Sequence, residues 1–515
     1  MANRLFATKP LSLLLEEMKG ENRLRRVLGP VTLTSLGIGA VIGAGIFVST
    51  GAVARNTAGP ALMLSYVVAG TVCIFAALCY AEFASMVPVA GSAYTYAYAT
   101  LGELFAWIIG WDLVLEYAVG AATVANGWSS YFQSVLNIFG LTVPKALSGP
   151  VVVYDTSVGH LVATGSFINL PALLVVAAVT VILVVGIRES AGFNAAMVIV
   201  KVSAVLFVIG VGSFYVKPEN WHPFAPYGLT GLSFFGRSVF GQHDAGGQPL
   251  GMIAGAAIAF FAYIGFDSIS THAEEAKRPN RDVPVAIVAS LLICTVLYIA
   301  VVAVLTGMVP YNKIDINAPV ADAFQQVGLP WARFLIAAAG VAGISSVLLV
   351  MMLSQPRVLL AMARDGLLPY GFFGAVHERF RTPWKSTILT GAFVGTLAAF
   401  LPITVLLNLV NMGTLMAFAI VCAAVLIMRR TNPKAERPFR APWVPFVPVM
   451  GILSCLMLMF SLPSENWWRL IVWLALGLTI YFSYGRHNSV LAKLRAAGGS
   501  LGPAMAKPAG NLNRK

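Results

Sequence analysis

Apolar runs of about twenty residues, one after another, leave a chain few ways to fold. The hydrocarbon core of a bilayer is about 30 Å thick and takes about 20 helical residues to cross. Inside it the chain must satisfy every backbone N–H and C=O itself, which leaves helices or closed barrels. Twelve such runs can be traced here, at 32–54, 61–86, 103–137, 167–187, 192–216, 250–271, 284–308, 329–361, 385–402, 405–428, 444–462 and 468–485. The third and eighth exceed one crossing and are expected to tilt or to extend beyond the membrane. The expected fold is an all-α polytopic membrane protein with twelve transmembrane helices. Composition agrees: 58% of residues are hydrophobic and 11% charged, whereas soluble domains carry about 25% charged residues.

Basic residues set the orientation, because cytoplasmic loops collect Lys and Arg. With the N-terminus inside, 26 of the 34 Lys and Arg fall on the inner side and seven on the outer, and Lys201 lies within a helix. The chain is therefore expected in the plasma (inner) membrane with both termini cytoplasmic. Basic loops beside anionic lipid account for the net charge of +13 without nucleic acid. Residues 1–30 mix charges with a short apolar patch and read as a cytoplasmic amphipathic segment; 486–515 read as a basic cytoplasmic tail. The five cysteines and six histidines are scattered without metal-ligand spacing, and there is no Walker-type loop. No metal and no cofactor are expected. A channel would need a continuous polar lining, and an enzyme would need a nucleophile–base pair at membrane depth; the spans offer neither.

Two spans are interrupted. The first carries Gly37, Gly39, Gly43 and Gly45 within nine residues, and each glycine costs a helix interior about 1 kcal/mol relative to alanine. The sixth reads Tyr263-Ile264-Gly265-Phe266-Asp267-Ser268, with a glycine and a carboxylate at membrane depth. Close helix packing is one reading of these small residues. Their placement favours another: they are the first and sixth spans, equivalent positions of two five-helix halves, 31–216 and 217–428, followed by two more helices over 429–485. Paired broken helices are the pointer to a binding site in inverted-repeat transporters. Unwinding exposes N–H groups that attract a carboxylate and carbonyls that attract an ammonium. A zwitterionic amino acid carries both charges on one carbon.

Charges inside the spans are costly, by roughly 2.5–3.5 kcal/mol at the bilayer centre, and mark ion or proton pathways. Lys201 lies well inside the fifth span. Asp112 and Glu116 are four apart and share a face of the third; Asp112 is expected to cap or pair locally, and Glu116 to line the cavity or pair with a cation. Asp267 follows the sixth-span break and is expected to hold its second half by a polar contact.

The run Gly39 to Phe47, the Tyr263 to Asp267 stretch, and Glu274-Glu275-Ala276 with Pro279 resemble the amino acid–polyamine–organocation superfamily. Pro88 to Tyr94, Gly110 to Tyr117 and Met362 to Pro369 narrow the resemblance to the cationic amino acid transporter branch in its bacterial, twelve-helix form. The resemblance implies a 5+5 inverted repeat with broken helices 1 and 6. It implies a substrate carboxylate on backbone groups of Ile42, Gly43, Ala44 and Gly45, and an ammonium on carbonyls of Phe261, Ala262 and Ile264, with Phe261 as an aromatic gate. Ala44 stands where relatives have Ser or Thr, which removes a hydroxyl and leaves the backbone contacts. Lys201 would replace a bound sodium, contacting carbonyls near Val41 and hydroxyls near Ser345 and Ser346, and its protonation would couple transport to the proton gradient; the alternative is a fixed cation bracing helices 1, 5 and 8. The expected function is proton-coupled import of L-amino acids such as alanine. The alternative is amino acid exchange, including cationic amino acids. The partners are an amino acid substrate, protons and the lipid bilayer, with room for a small single-helix membrane protein.

Overall fold

The computed structural model describes residues 6–10, 28–86, 92–155, 158–186, 191–234, 237–273 and 276–496. Most of the 1–30 segment, the stretch Pro88 to Gly91, Arg188, Glu274, Glu275 and the tail from 497 onward lie outside the described residues.

Prolines open several of the helices, where a missing N–H leaves no bond unmade. The first helix, α1 (Pro30–Val41), stops at Ile42, whose backbone is extended while its N–H still donates to Ile38 O at 2.8 Å. The chain coils again through a wide π-type turn at Gly45–Ser49, the short α2 (Thr50–Val53) and a second wide turn at Ala54–Ala58. Then follow α3 (Leu62–Met86), α4 (Ser92–Thr100), α5 (Glu103–Ile138), α6 (Leu170–Val185) and α7 (Ala191–Gly212). The second broken element is α8 (Met252–Ala259), a tight turn at Phe260–Tyr263, an extended Ile264, and the short α9 (Ser268–Thr271). Next come α10 (Pro279–Met308), α11 (Pro319–Gln326), α12 (Pro330–Arg364), α13 (Trp384–Phe400), α14 (Ile403–Thr431), α15 (Phe446–Met459) and α16 (Ser464–Ile480).

Eight helical runs among the described residues are long and apolar enough to cross a membrane; one of them, Pro30–Met86, spans 57 residues and contains the first break. α6 and α15 are shorter apolar helices. The mainly helical, polytopic character expected from the sequence is what the structure has. Three small antiparallel hairpins were not anticipated: β1 (Val152–Asp155) with β2 (His160–Ala163), β3 (Leu232–Phe234) with β4 (Arg237–Phe240), and β5 (Gln242–His243) with β6 (Pro249–Leu250). They sit in the connections on either side of the α6–α7 pair, and Tyr154 of β1 links the first hairpin to the third, its hydroxyl donating to Asp244 Oδ2 at 2.9 Å.

Packing pairs α3 with α10, α5 with α12, and α6 with α13 along much of their lengths. Small residues allow these approaches. At Gly340 of α12 an added Cβ would lie 2.5 Å from the Tyr131 ring of α5, and at Gly391 of α13 it would meet Thr180 of α6. All five cysteines are buried and unbonded, in keeping with packing roles.

Candidate functional site

The two breaks meet backbone to backbone. A Cβ on Gly45 would lie 2.3 Å from Ala262 Cα, and one on Gly265 would lie 2.8 Å from Ala40 O. Gly265 also has φ +119°, a conformation that L side chains rarely adopt. Each glycine therefore seats one break against the other. Gly43 faces a third element, with Val347 Cγ2 at 2.7 Å from where its Cβ would be. Ile42, Ala44, Phe261, Ala262 and Ile264 are all buried here, so the residues expected to hold the substrate converge on one place.

Their polar groups are not equally free. Ile42 N–H is taken by Ile38 O, which corrects the expectation that it would face a carboxylate. Phe47 N–H on Gly43 O at 3.2 Å restarts the helix, so the N–H groups just before Phe47 form a first turn, which has no intrahelical acceptor. No side-chain cap covers that turn. Carbonyls are more engaged. Tyr298 places its hydroxyl 2.9 Å from Val41 O and 3.0 Å from Ala262 O, bridging the two breaks. Phe261 O accepts Ile264 N–H at 3.2 Å. Asn411 Nδ2 donates to Ala257 O and Ile258 O, at 2.9 and 3.0 Å, where α8 ends. Tyr131 donates to Phe47 O at 2.7 Å. A carbonyl has two lone pairs, so the Ala262 and Phe261 oxygens can still accept a second donor.

Lys201 is fully buried, and its ammonium donates to Gly39 O at 2.6 Å. This carbonyl lies in the last turn of α1, two residues before Val41, whose carbonyl belongs to Tyr298. The Lys201 stem crosses Gly343 of α12, where an added Cβ would lie 3.0 Å from Lys201 Cγ. The expected hydroxyl contacts are corrected: Ser345 Oγ donates to Val341 O at 2.7 Å and accepts from Trp128 Nε1 at 2.8 Å, while Ser346 Oγ donates to Gly343 O at 3.2 Å. Each hydroxyl donates its proton within its own helix, and the hydrogen bond that the Lys201 ammonium makes is to Gly39 O.

The carboxyls form a separate cluster. Asp112 is completely buried, and neither oxygen has a hydrogen-bond partner among the described residues. It neither caps nor pairs, because it faces Gly413 of α14, whose missing side chain leaves room for the carboxyl. Glu116 Oε1 is also unpartnered; its neighbours are Asp267, Asp112 and the Thr414 hydroxyl rather than a cation. Asp267 O accepts both the N–H and the hydroxyl of Ser270, at 2.9 and 2.6 Å. Its carboxyl lies by the Tyr117 hydroxyl. The expected polar contact that starts α9 is thus made by its backbone.

Comparison with known proteins decides the family. The amino acid permease family model matches residues 28–481. This chain belongs to the amino acid permease family. It is similar to the methylthioribose transporter of Bacillus subtilis, 44% identical over 489 residues covering 95% of this chain and 99% of the relative. It is as similar to the branched-chain amino acid permease BcaP of the same organism, 44% over 492 residues covering 95% and 100%. The human cationic amino acid transporter 4 is 36% identical over 435 residues, covering 83% of the permease and 63% of that relative. The permease is a multi-pass membrane protein of the amino acid–polyamine–organocation superfamily, a transporter and not an enzyme. The residues that sequence reasoning missed at its site are Tyr298, Asn411, Tyr131 and Gly343. A hydroxyl or amide in the middle of an apolar span is the signal that Tyr298, Asn411 and Tyr131 share; Gly343 carries none beyond being small.

Proposed function

We propose that the permease is a proton-coupled symporter importing L-amino acids, with the ligand held between the two breaks and Lys201 as the coupling residue. The observation that carries this reading is Lys201 itself, a buried cation on a carbonyl of the first broken helix. Gaining or losing its proton makes or breaks a strut between α7 and α1, which ties a proton to the position of the broken helix. Twelve crossings arranged as a 5+5 inverted repeat, with cytoplasmic termini, complete the proposal. Its support is the packing of α3 with α10, α5 with α12 and α6 with α13, which pairs the second, third and fourth spans with their equivalents in the other half, as the two breaks pair the first and sixth.

Neutral amino acids are the proposed substrates. Val347, Phe261 and Ala44 surround the breaks with apolar surface, and Glu116 already has two carboxyl neighbours in place of a cation. The names of the two Bacillus relatives point to branched-chain amino acids and to methylthioribose, so both belong in the panel. Exchange of one amino acid for another is the second reading, favoured if Lys201 is a fixed brace. The test is uptake into proteoliposomes of labelled alanine, leucine, valine, methylthioribose, arginine and lysine, with an inward proton gradient and with the gradient collapsed. Concentrative uptake of neutral amino acids that needs the gradient supports symport. Movement of label only against preloaded unlabelled substrate establishes exchange instead.

A further inference from the structure

α1 and α10 begin side by side. Lys277 N–H donates to Leu28 O at 2.8 Å, just before the two helices start at Pro30 and Pro279. Further along, a Cβ on Gly37 would lie 2.8 Å from Ser290 Oγ, so the helices stay in contact. At their shared end they leave a cavity of about 360 Å³, lined by Pro30, Lys277, Arg278, Arg281, Asp282 and Val285.

The charges of this cavity are unbalanced. Lys277, Arg278 and Arg281 are exposed, and none of their side chains makes an ion pair or hydrogen bond among the described residues. Asp282 is buried and already engaged, since its Oδ2 accepts Arg278 N–H at 3.2 Å. Three cations against one carboxylate leave a net charge of +2. The two helix starts add their positive backbone ends to the same place. Basic pockets between helices on the cytoplasmic side of a membrane protein hold anionic lipid headgroups.

The surface beside the cavity suits a lipid chain. Val285, Leu292 and Val296 are exposed, and their spacing of seven and four residues puts them on one face of α10. That face starts at the cavity, because Val285 belongs to both. At 1.5 Å per residue it rises about 16 Å, close to one leaflet of a bilayer core about 30 Å thick. A soluble anion would use the cavity alone, whereas a phospholipid uses the cavity and the face.

We propose that this cavity binds the headgroup of an anionic phospholipid, with Lys277, Arg278 and Arg281 on its phosphate and one acyl chain along Val285, Leu292 and Val296. On the orientation proposed above, with cytoplasmic termini, the lipid comes from the inner leaflet. Bound there, the headgroup ties the start of the first broken helix to the connection that follows the second.

The test is native mass spectrometry of the delipidated full chain in detergent, titrated with phosphatidylglycerol, phosphatidylcholine or glycerol 3-phosphate. Wild type is compared with Arg278→Gln/Arg281→Gln and with Lys145→Gln/Lys313→Gln, which removes two exposed charges from other connections. Phosphatidylglycerol is expected to bind wild type and the Lys145→Gln/Lys313→Gln variant alike. It is expected to bind Arg278→Gln/Arg281→Gln about thirtyfold more weakly, roughly fivefold for each basic residue. Neither arginine side chain is bonded within the fold, so the melting temperature without lipid should stay at the wild-type value. Arg278→Lys/Arg281→Lys, which keeps both charges, should retain most of the binding. Equal binding of phosphatidylglycerol by wild type and Arg278→Gln/Arg281→Gln overturns the site. Equal affinity of wild type for phosphatidylcholine overturns the anionic headgroup, and glycerol 3-phosphate binding as tightly as the lipid overturns the lipid in favour of a soluble phosphate. Binding in detergent reads neither transport nor orientation, so the site can fail while symport holds, and the converse.

Discussion

Gly45→Ala isolates the contact on which the site depends. The added methyl would lie 2.3 Å from Ala262 Cα and 2.6 Å from Ala262 Cβ, whereas ordinary van der Waals contact begins at 3.4 Å. The obstacle at Cα is backbone, so no rotamer change relieves it, and interiors packed like crystals compress little. The two breaks must part by about 1 Å. A misplacement of about 1 Å at a reacting site costs on the order of 10²-fold in enzymes, and the same loss is expected here in Vmax/KM for uptake, because both ligand-facing segments shift at once. Gly210→Ala is the control: nothing lies within 4 Å of that Cβ, and the residue sits in α7. Uptake of labelled leucine and alanine by matched amounts of the two variants in proteoliposomes gives the answer, with melting temperature as the check on folding. If Gly45→Ala transports within threefold of Gly210→Ala, the backbone contact between the breaks does not shape the site and the argument is wrong.

Other consequences follow from single side chains. Lys201→Met removes the bond to Gly39 O and is expected to abolish concentrative uptake while leaving binding measurable by scintillation proximity; retained proton-driven uptake excludes the coupling role. Asn411→Leu strands the carbonyls of Ala257 and Ile258 and is expected to destabilise the protein by about 1–3 kcal/mol, read as a lowered melting temperature in detergent. Glu82→Gln weakens a carboxylate that accepts Arg429 Nε and Nη2, at 3.0 and 2.6 Å, and Ala441 N–H at 2.8 Å. A loss of similar size is expected, and because Glu82 is buried it should change little between low and high salt.

How much of this was legible depended on whether the cause was local. The breaks were, because glycine and the extended residue beside it act through the backbone of their own helix: Ile42 and Ile264 are extended where the glycine pattern placed the interruptions. Lys201 was legible because a cation in an apolar run is costly and has to be held inside the bundle, whether as a proton carrier or as a fixed brace. What fills the carbonyls was not. Tyr298 lies 257 residues from Val41 and 36 from Ala262, and only the packing of α10 against both breaks brings its hydroxyl between them. Asp112 shows the same limit from the other side. Its spacing from Glu116 placed both on one face, but the absence of a side chain at Gly413, on another helix, decides that it has no partner. The hairpins were hidden because strands of two to four residues carry too few positions for alternation to register.

The distribution of partners at the breaks leads to a last prediction. An unfilled carbonyl away from water is costly, and the protein supplies donors to Val41, Ala262, Ala257, Ile258 and Gly39 from Tyr298, Asn411 and Lys201. The N–H groups opening the turn at Gly45–Ser49 receive no side-chain cap. A ligand carboxylate would gain new charge-assisted bonds there, each worth about 1.5–3 kcal/mol, whereas a ligand ammonium would share or displace the Tyr298 hydroxyl and gain less. Among leucine analogues, 4-methylpentanoate, which lacks the amine, should therefore compete with leucine uptake better than 3-methylbutylamine, which lacks the carboxylate. Tyr298→Phe keeps the ring contacts with Tyr66 and Tyr263, at 5.6 and 5.5 Å between centroids, and frees the two carbonyls. It should narrow the gap by improving the amine rather than by weakening the acid. Should the amine compete better in the wild type, the carbonyl side governs recognition and the Tyr298 hydroxyl is a strut that the ligand never meets.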